Sequence, residues 1–285
     1  MASSKAATLL GAGAILLWAT LASLTALRGA IPPFETTAIV FAIGSGVILL
    51  AAAARGRLAL VGPTPGSLAL GVAGLFGYHA LYFAALKLAP PAEASLIASL
   101  WALFTVLLSG LLPGHRLRAA HVLGALLGLA AAAVLVWDKL GADGAGSTDA
   151  LGFVLALACA FVWSSYSVLS RLFAQVPSES IAAACLATSA LAFLFSLTFE
   201  TWVLPERASW LALVGLGLGP VGTAFLLWDI GMKGGSVPLL GVLSYASPIL
   251  STALLVALGL AQASASLALA CALMVAAAVI ATRPE

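Results

Sequence analysis

A minority of aromatic and hydroxyl side chains recurs at helical spacing inside stretches that are otherwise aliphatic. Tyr78 and Tyr82 are four residues apart and share a helix face, with His79 beside them. Ser95 and Ser99 share another face, with Trp101 close by, and Trp163 and Tyr166 follow among Ser164, Ser167 and Ser170. Ser244, Ser247 and Ser251 recur at i, i+3 and i+7 with Tyr245 adjacent, and Trp18 lies in the first apolar run. Aromatic rings offer apolar faces for stacking on a planar ligand, worth about 1 kcal/mol per pair beyond area burial. Serine hydroxyls donate or accept, so they suit both ends of a zwitterion. The expected substrate site therefore draws on Trp18, on Tyr78, His79 and Tyr82, on Ser95, Ser99 and Trp101, on Trp163 and Tyr166, and on Ser244 and Tyr245. His79 has two readings: a neutral imidazole bonded to a neighbouring helix, or a cavity group that binds substrate or senses protons. Each serine also has a plainer reading, a bond to its own helix's i−4 carbonyl.

The elements that must position these side chains follow from composition. Of 285 residues, 63% are hydrophobic and 8% charged, with a mean hydropathy of +1.17. A water-soluble domain carries roughly a quarter charged residues, so lipid must be the solvent for most of this surface. Spanning a hydrocarbon core takes about 20 apolar residues as helix. Ten such runs are expected: Thr8–Leu27, Phe34–Ala54, Ser67–Leu88, Pro91–Leu112, Ala119–Leu140, Asp149–Phe173, Ser178–Phe199, Ser209–Lys233, Val237–Leu258 and Ser264–Thr282. Strand barrels would show alternating segments about half as long, and lipid leaves helices as the remaining choice. The fold class is thus an all-α integral membrane protein with ten transmembrane helices.

The longest polar stretch, Gly141–Thr148, divides the chain into 1–140 and 149–285. The halves echo each other: Trp18 corresponds to Trp163, Lys87 to Lys233, and Gly71, Gly74 and Gly77 to Gly215, Gly217 and Gly219. Five spans per half require opposite orientations in the bilayer, which makes the halves inverted repeats with a substrate site at their interface. Lys5, Arg55, Arg57, Arg116, Arg118, Arg171, Lys233 and Arg283 fall on one side and Arg28, Lys87, Lys139 and Arg207 on the other, with Glu35 and Glu200 among the acidic residues of that second side. The bias in Lys and Arg puts both termini in the cytoplasm. The net charge of +2 then reflects topology and suggests no nucleic-acid partner.

Trp137, Trp202 and Trp210 read as interfacial belt residues, and Cys159, Cys185 and Cys271 as small core residues. Gly124-x-x-x-Gly128 reads as helix packing within the bundle or at a homodimer seam. Gly217, Gly219 and Pro220 in the eighth run, with Pro238 and Pro248 in the ninth, are the expected hinges. No Asp, Glu, Lys or Arg is expected at mid-span, which argues against highly charged substrates and favours neutral or zwitterionic ones. The Walker phosphate loop, H-E-x-x-H and G-x-S-x-G are all absent. Three histidines and few carboxylates provide no metal cluster. The expectation is a carrier for a small molecule, with no enzymatic activity and no cofactor; the alternatives are a carrier of other small amphipathic metabolites or drugs, and a channel or enzyme embedded in the membrane.

Several local patterns carry a resemblance. They are the Trp18 span, the small-residue third span ending at Lys87, Pro90-Pro91-Ala92-Glu93-Ala94-Ser95, Gly231-Met232-Lys233 and Ser247-Pro248-Ile249. In these the chain resembles the drug/metabolite transporter superfamily, specifically the EamA-type ten-helix exporters, and is most similar to bacterial aromatic amino-acid exporters. The resemblance implies a multi-pass inner-membrane protein whose first, third and fourth spans, with their repeats, line a central cavity. It implies export of aromatic and other hydrophobic or neutral amino acids by alternating access. Two departures stand out: His115 takes the place of a family glutamate, and Ala102 replaces a fourth-span proline that Pro248 keeps.

Overall fold

The structure is a computed structural model that describes residues 4–109, 119–142, 147–173, 175–234, 240, 243–244 and 246–282. Among these every regular element is helical. Six stretches of the described residues are long and apolar enough to cross a membrane: Lys5–Leu27, Pro33–Ala54, Pro65–Leu88, Asp149–Ser170, Ser178–Phe199 and Arg207–Gly231. Glu93–Thr105 and Ala265–Ala277 are shorter apolar helices. Leu9, Leu50 and Leu211 point outward, as lipid-facing side chains do. Tyr245, Pro238 and His115 lie outside the described residues, as does 143–146 between the halves.

Several expected spans are interrupted, and the interruptions have local causes. The first is α1 (Ser4–Ala19) followed by α2 (Leu21–Leu27). Between them Thr20 turns its hydroxyl onto the Leu17 carbonyl at 2.7 Å, competing with the helix ladder. The second and third are single helices, α3 (Pro33–Ala54) and α4 (Pro65–Leu88), each opened by a proline at its first position. The fourth, expected as one helix over Pro91–Leu112, is instead α5 (Pro91–Ala98) and α6 (Trp101–Ser109), broken at Ser99 and Leu100. There Ser99 bonds the Ser95 carbonyl at 2.8 Å, and the Ala102 amide reaches back only three residues to Ser99. Helices α7 (Ala119–Ala142), α8 (Ser147–Ser170) and α9 (Ile181–Phe199) follow.

The eighth span is α10 (Arg207–Leu216), a π-helical segment (Gly217–Thr223) containing Pro220, and α11 (Ala224–Gly234). The wide turns of the π segment accommodate the missing proline amide. Here α3 approaches at backbone range: a Cβ on Gly217 would lie 2.5 Å from Ile43 Cβ, and one on Gly222 would lie 3.0 Å from Gly44 Cα. Gly217 is therefore required for close packing in this arrangement. A Cβ on Gly219 would meet only Leu17 at an ordinary 3.6 Å. The chain ends with α12 (Ala246–Ala257), which contains Pro248, and α13 (Ala265–Thr282). Gly128 of α7 faces Leu100 and Leu103, so its small size serves packing inside the bundle.

Helices α3 and α9 pack side by side and antiparallel. Ser45 donates to the Ala182 carbonyl at 2.9 Å, and Ser189 donates to the Ala38 carbonyl at 2.7 Å. At one end the Glu200 carboxylate accepts the first-turn amides of Phe34 and Glu35, both at 2.8 Å, and so anchors the positive end of α3. At the other end Arg57 pairs with Glu179 at 3.0 Å, just before α9. Glu35 and Arg28, assigned from the sequence to the outer side, are buried. Glu35 accepts the Val203 amide at 3.0 Å. The Arg28 guanidinium donates to the Ile31 carbonyl and lies 5.8 Å over the Phe83 ring. Burial pulls the Arg28 guanidinium down to about 10, against the opposing pull of Glu200 and Glu35, so it remains a cation. Elsewhere α4 packs on α8 and α1 on α11.

Candidate functional site

The interrupted helices converge on one cavity. Trp18 stands just before the break between α1 and α2, and Trp101 just after the break between α5 and α6. Helix α4 contributes Tyr78, His79 and Tyr82, α8 contributes Trp163, and Ser95 and Ser99 come from the α5 turn. The cavity is narrow, with about 40 Å³ of it reachable by the centre of a water molecule. Its described lining contains no Asp, Glu, Lys or Arg, and no group of metal-ligating side chains occurs among the described residues.

Trp18 is the hub of the aromatic wall. Its ring centre is 6.2 Å from Trp101, 5.8 Å from Trp163 and 5.0 Å from Trp228, in edge or tilted arrangements. Its indole N–H donates to the Pro220 carbonyl at 2.9 Å, so an acceptor in the π segment fixes the ring. Tyr78 stacks on Tyr82 at 5.5 Å, as one turn of α4 dictates. A thin polar line crosses the cavity: the Tyr82 hydroxyl donates to Ser95 at 3.3 Å, and Ser95 lies 3.5 Å from Ser251 of α12.

His79 sits among Phe41, Tyr78, Phe83 and Phe225. Its Nδ1 meets the Leu75 carbonyl of its own helix at 3.1 Å; no neighbouring helix supplies that partner. A carbonyl only accepts, so Nδ1 carries a proton, and in the neutral ring Nε2 is left as an acceptor.

Two expected members lie elsewhere. Tyr166 does not line this cavity: one turn beyond Trp163 and 5.4 Å from it, the ring faces a second cavity that also contains Asp229. Ser244 is buried with its hydroxyl on the Leu240 carbonyl at 2.8 Å, which takes up its donor, and it is not among the lining residues. Leu21, Phe225, Ser247 and Ser251 complete the wall. Leu21 and Phe225 carry no signal in the sequence, since an aliphatic or phenyl side chain in an apolar run reads as core. Ser247 and Ser251 are visible there as the same stripe that contains Ser244.

The EamA-like transporter family profile matches residues 5–137 and again residues 150–283. Aromatic amino acid exporter YddG of Ancylobacter novellus is 55% identical over 281 residues, 98% of both chains. Aromatic amino acid exporter YddG of Escherichia coli strain K12 is 26% identical over 270 residues, 87% of both. A solved crystal structure, 55% identical, superposes with a TM-score of 0.80 over 98% of this chain and 97% of that one.

Proposed function

The chain belongs to the EamA-like transporter family, and from that premise we propose that it exports aromatic and other hydrophobic amino acids across the bacterial inner membrane by alternating access. The observation that carries this reading is 55% identity along nearly the whole chain to an aromatic amino acid exporter. The cavity supports it. A substrate ring would stack among Trp18, Trp101 and Trp163. The Tyr82–Ser95–Ser251 line and the acceptor Nε2 of His79 would receive the polar end of a zwitterion. The uncharged wall disfavours substrates with net charge, which would lose hydration without a counter-ion.

The architecture in this proposal is ten spans in two inverted halves, 1–140 and 149–285, with both termini cytoplasmic. Separate matches of the family profile to each half support it. The reciprocal bonds of Ser45 and Ser189 support it too, since donors and acceptors exchange places as a pseudo-twofold axis requires. Alternating access would then be a rocking of one half against the other around the fixed cavity. Pro220 and the π segment are candidate flexing points, beside Gly219, where added bulk would meet little.

Purified protein in liposomes tests the substrate assignment. Labelled phenylalanine should enter faster than into empty vesicles, and threonine and methionine serve as further substrates. Equal rates for all three with and without protein would refute the assignment.

A further inference from the structure

A second cavity lies beyond the Trp163–Tyr166 pair from the first. Its walls include Ser67 of α4, Tyr166 and Ser170 of α8, Phe173 and Ser180 of the connection to α9, and Asp229 of α11. The chain connections that form it carry Arg57 and Arg171, so the charge bias assigns this end to the cytoplasm. The chemistry differs from that of the central cavity in one respect: this wall contains a carboxylate. Asp229 is half-buried and falls inside the apolar stretch Arg207–Gly231. It lies two residues before the end of that stretch, and ionisable groups that face a cavity there mark substrate and ion pathways. The preceding residue, Trp228, turns to the central cluster at 5.0 Å from Trp18. Helix α11 thus offers successive side chains to the tryptophan cluster of the central cavity and to the second cavity.

The partition between them is a packed one. The Tyr166 ring lies 5.4 Å from Trp163 and directly against Gly74, where a Cβ would come within 2.5 Å of Tyr166 Cγ. Helix α4 accepts the ring this close only because residue 74 has no side chain.

We propose that the second cavity is a cytoplasmic loading site in which the Asp229 carboxylate receives the ammonium group of an aromatic amine or amino acid, with Tyr166 as the partition to the central cavity. The proposal rests on the transport reading above and adds to it an order of recognition. Positive charge is selected at the inner mouth by Asp229, where Tyr166 and Phe173 provide ring faces. The aromatic group is then enclosed by the uncharged chamber. A ring compound with a carboxylate and no ammonium would be repelled at the first step.

Protection of an introduced cysteine tests this directly. In purified Ser170→Cys protein, modification by a hydrophilic maleimide is followed above the background of the unaltered chain. Phenethylamine and phenylalanine should both slow the reaction, whereas 3-phenylpropionate, with the ring and a carboxylate only, should not. Adding Asp229→Asn should raise the half-protecting concentration of phenethylamine about tenfold, the loss expected for one hydrogen bond between charged groups, and Asp229→Glu should restore it. Absence of protection, equal protection by 3-phenylpropionate, or an unchanged half-protecting concentration in Asp229→Asn overturns the proposal. If Asp229→Asn does not fold, the comparison of phenethylamine with 3-phenylpropionate decides by itself. Unaltered protein that moves no phenylalanine into liposomes contradicts the transport reading instead, and the protection result still decides this site.

Discussion

At the scale of single residues, the central cavity is a ring-lined chamber with a few neutral polar atoms. Trp101 and Trp163 differ from Trp18 in one respect: Trp18 is tied to the Pro220 carbonyl at 2.9 Å and so also joins α1 to the π segment. Alanine at Trp101 or Trp163 removes a stacking face of the wall while leaving that tie intact. Each substitution is expected to lower phenylalanine flux about fivefold, the equivalent of one lost aromatic pair, with normal amounts of folded protein in the membrane. Wild-type flux in both variants would return these rings to a packing role. Most of this wall is legible in the sequence because an aromatic or hydroxyl group at helical spacing is conspicuous among alanines and leucines. Ser244 and Tyr166 lie off the central cavity for different reasons. The Ser244 hydroxyl is satisfied by the Leu240 carbonyl, and Tyr166, on the same stripe as Trp163, is displaced by one turn to a different cavity.

At the scale of elements, the α3–α9 pair is a clamped antiparallel unit, and each clamp has an expected worth. Ser45→Ala and Ser189→Ala should each cost about 1 kcal/mol and cost it alike, since their bonds are related by exchange of the halves. Glu200→Gln should cost more, roughly 2 kcal/mol, because two α3 amides lose a charged acceptor. Thermal unfolding of the purified variants reads all three. Serine effects of very different size, or a neutral Glu200→Gln, would count against the clamp. The apolar runs that give α3, α4, α8 and α9 are plain in the sequence, since length and hydropathy suffice for a span. The breaks at Thr20 and at Ser99–Leu100 are not, because both faces of a lipid-embedded helix are apolar and no change of period marks an interruption. Pro220 is conspicuous, but a proline specifies a disturbance and leaves its form open; the neighbouring glycines let α3 approach and the π turn settle. The burial of Glu35 depends on Val203, far away in the chain, which no local pattern reveals.

At the scale of the whole molecule, packing and end contacts hold the helices in pairs. α4 packs on α8 and α1 packs on α11, while Glu200 secures one end of the α3–α9 pair and the Arg57–Glu179 pair the other. A carrier with an uncharged, ring-lined chamber should exchange one aromatic amino acid for another and refuse partners of net charge. Counterflow in proteoliposomes measures this most directly. Vesicles loaded with unlabelled phenylalanine, tyrosine or tryptophan should accumulate external labelled phenylalanine transiently above equilibrium, and vesicles loaded with glutamate or lysine should not. No overshoot with any aromatic partner, or an equal overshoot with glutamate, would contradict the account.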